Sequence, residues 1–198
     1  MRRFPILALA LALGATTLSA CMSDGAPRAE APAPPPATAP TTPPPPPFET
    51  RVVRDGSVLI APQPLAADLE ALGAKGVRRV INLRTPEEMA TLGFDEAALA
   101  EAKGMGYTLL PIAGNTGFTP AALDAFSAAM ANGEGDVLLH CASGTRAAHL
   151  YAAWLVREQG LSPEDAMRRV GPLGLWPLPM ERLLDKPLRL EFGDAPQG

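Results

Sequence analysis

One stretch in the second half of the chain limits what it can fold into. Val137-Leu138-Leu139 is an apolar run, and an alanine-rich segment spans Ala147 to Glu158. The run reads as a strand buried on both faces, as in a parallel sheet, and the segment as a helix. Between them His140-Cys141-Ala142-Ser143-Gly144-Thr145-Arg146 must turn the chain from strand into helix. Successive N–H groups at such a turn, together with the positive end of the helix, favour an anion. The same field favours thiolate over thiol at Cys141, and thiolate is the nucleophile. Gly144 permits a tight backbone with positive φ. Arg146 presents a planar fork that suits phosphate or sulfate oxygens.

These residues take the following roles. Cys141 is the nucleophile, with a buried inert cysteine as its alternative. Arg146 is the oxyanion clamp, since a cation is unfavourable at a helix N-terminus unless an anion is present. The backbone N–H groups of Ala142, Ser143, Gly144, Thr145 and Arg146 form the anion cradle. The hydroxyls of Ser143 and Thr145 read as helix caps ahead of ligand donors. His140 either supports the loop and favours the thiolate or is a strand-end histidine satisfied by backbone. His149, one helical turn past Thr145, reads as a surface residue.

The surrounding sequence alternates strands and helices. Arg54-Asp55-Gly56-Ser57 between Val52-Val53 and Val58-Leu59-Ile60 is a hairpin signal. Pro64 to Ala74 reads as a helix with Leu65, Leu69 and Leu72 on one face, and Val77 to Leu83 as a strand. Thr85-Pro86-Glu87-Glu88 is a capping box with proline at the first helical position. Asp95 caps a second short helix, Tyr107 to Ile112 is the next strand, and Thr119-Pro120 starts a helix carrying Leu123, Phe126 and Met130 inward. Ser162-Pro163-Glu164-Asp165 opens a further helix, and Trp176 and Met180 suggest that the proline-rich tail packs back. The expectation is an α/β fold: one domain over 51–198, its core reaching to about 170, with a mostly parallel central sheet flanked by helices.

Residues 1–20 have the form of a signal peptide. Arg2 and Arg3 supply a positive start, and Ile6 to Gly14 is an apolar stretch too short to span a bilayer comfortably. Leu18-Ser19-Ala20-Cys21 resembles a bacterial lipobox, which implies cleavage before Cys21 and its lipidation. The alternative is an ordinary signal peptide with Cys21 as a bystander. Met22 rather than Asp follows the cysteine, which resembles outer-membrane sorting and implies a domain facing the periplasm. Residues 21–50 form a linker; Pro32 to Pro47 is almost entirely Pro, Ala and Thr, reads as extended polyproline II and acts as a spacer. With a net charge of −4, a nucleic-acid partner is not expected. Two cysteines and two histidines are a thin ligand set for zinc, so neither metal nor cofactor is expected.

His140-Cys141-x-x-Gly144 followed by Arg146 resembles the signature loop of cysteine-dependent protein tyrosine phosphatases, but with four residues between Cys and Arg instead of five. Loops of this shorter span are also typical of rhodanese-like sulfurtransferases. From about Arg51 to Arg169 the chain resembles the phosphatase-like domain of the beta-lactamase-hydrolase-like proteins, on Pro62-Gln63-Pro64, Val80-Ile81-Asn82-Leu83-Arg84 and Gly106-Tyr107 into Leu110-Pro111 beside the loop. The resemblance implies a dual-specificity-phosphatase fold and hydrolysis of phosphomonoesters through a phosphocysteine. It also implies a general acid in the loop Ile112 to Phe118, which contains no Asp, Glu or His. Asn115 cannot give up a proton at neutral pH. Asp124 reaches the site only if its helix tilts inward and otherwise faces solvent.

Three readings stay open at this level: a phosphatase, a sulfurtransferase holding a persulfide on Cys141, and a non-catalytic anion-binding lipoprotein. The partner is in each case a small phosphorylated or sulfur-bearing anion, with a membrane engaged through the lipid. Replacing Cys21→Ala should release the chain from the membrane fraction or leave it uncleaved, as membrane fractionation and the mass of the mature chain would show. A wild-type chain that fractionates as a soluble periplasmic protein would remove the lipobox reading.

Overall fold

The computed structural model describes residues 46–171 and 177–189; the leader, Cys21, most of the proline-rich linker and Trp176 lie outside them. Asp-Gly turns the chain back as the sequence predicts. Strands β1 (Val53–Asp55) and β2 (Val58–Ala61) pair antiparallel with Val53 opposite Ile60, and Gly56 takes φ 58° at the turn. Strands β3 (Val77–Asn82), β4 (Gly106–Leu109) and β5 (Asp136–His140) follow. The sheet order is β1-β2-β5-β3-β4, with every pairing after the hairpin parallel.

The last strand in sequence thus sits in the middle of the sheet. Leu138 of β5 packs on one face with Leu69 and Leu72 of helix α1 (Ala66–Ala74) and Ala100 of helix α3 (Glu96–Ala102). A short helix α2 (Pro86–Met89) lies between β3 and α3 in the chain. Val137 and Leu139 point to the other face, toward Leu123 and Phe126 of helix α4 (Pro120–Ala131) and the buried side of helix α5 (Thr145–Gln159). Helix α6 (Pro163–Arg169) and helix α7 (Pro177–Leu184) complete that layer through Ala166, Met180 and Leu183. An apolar run without alternation is what a strand covered on both faces requires.

Helix α5 is enclosed almost all round. Every residue from Ala147 to Ala153 is buried, because α4, α6 and α7 all pack against it. Its alanines let those neighbours approach closely, and the enclosure corrects the surface reading of His149, which is buried. Three boundaries also differ from expectation. Helix α1 starts at Ala66, not Pro64. Leu65 takes the cap position at 54 % exposure rather than the buried face, and its N–H donates to the Asp68 carboxylate at 2.8 Å. Strand β3 closes one residue early, at Asn82. Strand β4 closes at Leu109 because Pro111 has no N–H to offer the ladder, although Leu110 and Ile112 still donate to Asn82 O and Leu83 O at 2.8 and 3.0 Å. Met180 packs back as expected, within α7.

The centre of this sheet should dominate stability. Leu139 is fully buried, so Leu139→Ala should lower the unfolding free energy by about 2–5 kcal/mol. Urea denaturation would measure it as a lower midpoint at unchanged slope.

Candidate active site

The loop after β5 is held by backbone from both neighbouring strands. Leu83 N–H donates to His140 O at 2.9 Å, and Gln63 N–H donates to Ala142 O at 3.1 Å. Gly144 has φ 91°, and a Cβ there would lie 3.4 Å from Ala61 C and O and from Pro62 N. Those distances are ordinary contact, so it is the positive φ, rarely adopted by residues with a Cβ, that calls for glycine here. The Gly144 N–H donates to Cys141 Sγ at 3.1 Å. Cys141 is buried, while Ala142 and Ser143 above it are exposed. Gly144 itself is the N-cap of α5 and contributes no side-chain cap. Neither Ser143 nor Thr145 caps the helix, contrary to the sequence reading; the Ser143 hydroxyl donates to Thr145 Oγ1 at 3.2 Å instead.

Arg146 is anchored before any ligand arrives. Its Nη1 donates to Glu88 Oε2 at 2.8 Å and to the carbonyls of Leu83 and Ile112 at 3.2 and 2.9 Å. Its Nη2 donates to Glu88 Oε1 at 2.6 Å. Glu88 also completes its capping box, with its carboxylate taking Thr85 N–H at 2.8 Å and its own N–H donating to Thr85 Oγ1 at 3.3 Å. The Arg146 fork holds the Glu88 carboxyl down to about 2, against partial burial that pushes it up, and the Thr85 amide and Arg84 add to the lowering. In return Glu88 raises Arg146, burial opposes that rise, and the nearby Cys141 sulfur adds to it. Of the five guanidinium N–H groups, these contacts to oxygen leave Nε–H and one Nη2–H, on a fork that also lies near the Cys141 sulfur.

Behind the loop, on the face of the sheet away from Cys141, a carboxylate is buried. Glu96, 1 % exposed, accepts from Gln63 Nε2 at 2.7 Å, Asn82 Nδ2 at 2.7 Å and the Tyr107 hydroxyl at 3.0 Å. His140 Nε2 lies 3.4 Å from Glu96 Oε1, longer than a good hydrogen bond, and both its ring nitrogens lack a close partner. Burial pushes the Glu96 carboxyl up, but His140, Gln63 and Tyr107 together outweigh it and hold the group below its ordinary range. Arg84 joins the cluster through Gln63 Oε1 at 2.7 Å. The side chain of His140 therefore faces an acid across 3.4 Å and takes no backbone partner among the described residues. Its own support of the loop runs through its carbonyl.

A depression of about 680 Å³ opens over Arg146, lined also by Thr145, His149, Asn115, Phe118 and Glu88. His149 Nδ1 lies 2.8 Å from Thr145 O, and its ring faces Phe118 at 5.7 Å. Asp124 is not part of this lining. Its carboxylate is 72 % exposed and pairs with Arg157 at 2.8 Å, so the inward tilt needed for an acid does not occur. Asp136 pairs with Arg54 at 2.9 Å, at the opposite end of β5. Among the described residues no group of three or more His, Cys, Asp or Glu gathers as a metal site. Sequence reasoning found Cys141, Gly144 and Arg146 in one loop but missed three neighbours: Glu88, visible only as a cap; Glu96, hidden behind the cap residue Asp95; and His149.

The Glu88–Arg146 pair predicts an acid-dependent stability. A carboxyl lowered in the folded state stabilises it above the unfolded pKa of ~4.3, and that contribution is lost as pH falls through the folded value. Glu88→Gln should therefore cost on the order of 1 kcal/mol near neutral pH after solvent screening. The difference from wild type should shrink as pH drops from about 4.5 toward 2. Thermal melts of both proteins across that range would show it.

Known proteins place these features in a family. The family described as beta-lactamase hydrolase-like protein, phosphatase-like domain, matches residues 49–156, just over half of the chain. A beta-lactamase hydrolase-like protein of Agrobacterium fabrum is 44 % identical over 94 residues, covering 46 % of this chain and 22 % of that protein. One from Xylella fastidiosa is 43 % identical over 95 residues, with 47 % and 22 % covered. The chain thus spans about a fifth of the length of these curated relatives. The solved structure of PTPMT1 superposes with a TM-score of 0.57 at 25 % identity, covering 68 % of this chain and 92 % of that one. The described domain has the dual-specificity-phosphatase-like α/β fold, and the chain belongs to the family of beta-lactamase hydrolase-like phosphatase-like domains.

Proposed function

We propose that the domain hydrolyses phosphomonoesters through a phosphocysteine at Cys141. The observation that supports this reading best is the setting of Arg146. Its guanidinium is fixed by Glu88 and two carbonyls beside the loop whose Gly144 N–H already meets the Cys141 sulfur. In this mechanism the thiolate forms a bond to phosphorus as the bond to the leaving oxygen breaks. The Nε edge of Arg146 and the N–H groups opening α5 stabilise the equatorial oxygens as charge develops. The leaving group departs with the electron pair and takes its proton from water. Water then attacks phosphorus, the S–P bond breaks, the thiolate is restored and inorganic phosphate leaves.

The loop that would carry an acid has none to give, and Glu88 stays ionised because Arg146 lowers it to about 2. Unassisted departure favours a leaving group that is stable as an oxide. Hydrolysis should therefore be slow overall and depend steeply on leaving-group pKa, with aryl phosphates well ahead of alkyl phosphates by about 100-fold or more. Cys141→Ser should abolish turnover. Arg146→Lys keeps the charge but loses the fork held by Glu88, and should cost about 100-fold. Turnover indifferent to leaving-group pKa would point to an acid elsewhere.

The same missing acid and the four-residue span between Cys141 and Arg146 support a second reading, sulfur transfer through a Cys141 persulfide. Thiosulfate-to-cyanide transfer assayed on the same preparation separates the two, and inactivity in both leaves an anion-binding protein. For the whole chain we propose a lipid anchor at Cys21, the proline-rich segment as spacer, and an outer-membrane location facing the periplasm.

A further inference from the structure

Helix α7 lies beyond the span that matches the family, and it builds a second cavity beside the first. Asn115, Phe118, Leu178, Pro179 and Arg182 enclose about 300 Å³. Three of them, Asn115, Phe118 and Pro179, also line the depression over Arg146, so the two spaces share a wall. Met180 and Leu183 bury the inner side of α7 against the α4–α5 layer. That packing leaves Leu178 on the outer side at 53 % exposure, one of three large exposed apolar residues among those described. Arg182 stands at the same cleft and donates from Nη1 to Asn115 O at 2.8 Å, which ties α7 to the acid-free loop.

The chemistry of this cleft is unlike that of the depression. Its walls are a leucine, a proline ring and a phenyl ring, and its polar side chains are Asn115 and the guanidinium of Arg182. Glu181, next to Arg182 in the chain, receives Leu188 N–H at 2.9 Å. Glu87 and Glu88 belong to the depression, not to this cleft, and Glu88 is committed to Arg146. Apolar walls with one placed charge are how small-molecule sites fix an apolar body by one polar group. A planar ring lying along the exposed Leu178, beside the small surface that Phe118 and Pro179 leave to the cleft, would direct an anionic substituent to Arg182. The reaction makes an independent demand for the same class of group, because without an acid the departing oxygen must be stable as an oxide.

The geometry points to this cleft as the leaving-group subsite, selecting phosphate esters of an aromatic alcohol that carries a carboxylate on the side away from the phosphate. The inference rests on the phosphomonoester reading above. With phosphate over Arg146, the leaving group would extend across the wall the two spaces share into the cleft that Leu178 and Arg182 line.

The test uses phenyl phosphate, 2-naphthyl phosphate and 6-carboxy-2-naphthyl phosphate on the full chain. Leu178→Asp should lower the ratio of kcat/KM for naphthyl over phenyl phosphate by about tenfold, by removing apolar wall and adding a charge. Arg182→Ala should lower the ratio for carboxynaphthyl over naphthyl phosphate by about tenfold, and Arg182→Lys should restore part of it. Leu65→Asp, at the exposed leucine that precedes α1, should leave both ratios at their wild-type values. Ratios cancel any general loosening of the Asn115 loop. Unchanged ratios in Leu178→Asp and Arg182→Ala would overturn the subsite while leaving hydrolysis intact. If no ester is hydrolysed, the phosphatase reading fails, and the same ratios are then read as protection of Cys141 from iodoacetamide by each ester. Equal protection by all three in wild type would overturn the subsite as well.

Discussion

A carboxylate taken out of water must be met by donors on every side, or it does not stay ionised. Glu96 imposes that requirement on this domain. Its donors come from the segment entering α1, from the end of β3 and from β4, in Gln63, Asn82 and Tyr107, while His140 at the end of β5 faces it from 3.4 Å. Satisfying one buried acid therefore ties the C-terminal end of β3 to β4 and to the segment that follows β2. Gln63 carries the effect onward, since its own N–H holds Ala142 O in the cysteine loop. The polar cluster on one face of the sheet and the cysteine loop on the other are joined through the backbone of a single strand end.

Glu88 shows a similar economy on the opposite face. One carboxylate closes a capping box at α2 and grips both nitrogens of the Arg146 fork. Segments far apart in sequence meet in it, and a change at either end would be felt at the other. The carbonyls of Leu83 and Ile112 add the strand ends of β3 and β4 to the same anchor. The loop of Ile112 to Phe118 is thereby tied to the arginine at one end and, through Asn115 O, to α7 at the other.

How much of this was legible in the sequence follows from the range of each signal. Asp55-Gly56, Thr85 with Glu88, Asp95, Thr119-Pro120 and Ser162 are local devices, each acting within three residues, and each does so in the structure. The loop from His140 to Arg146 is also local, which is why its glycine and arginine could be read together. Glu96 and Glu88 were seen only in their local setting, as the neighbour of a cap and as part of one. Their larger roles depend on partners tens of residues away, and no spacing rule reaches that far. His149 was misread for a related reason. The sequence of α5 is alanine-rich, which is compatible with exposure, but three packed helices and the sheet make small residues a condition of close approach. Asp124 carried the right chemistry on the wrong side of its helix, where Arg157 holds it.

The locked ion pair at Arg146 has a kinetic side. A free arginine projecting into a depression would draw anions from several ångströms away and speed their arrival. Here the cation is already neutralised by Glu88, and the chain as a whole carries a net charge of −4. An approaching anion therefore feels little pull until it is within hydrogen-bonding range of the loop. On the phosphatase reading proposed above, capture would depend on short-range fit, and its rate would rise as salt screens the net negative charge. The compensation is entropic: the guanidinium is immobilised during folding, and no side-chain freedom is left to lose there when the anion finally docks.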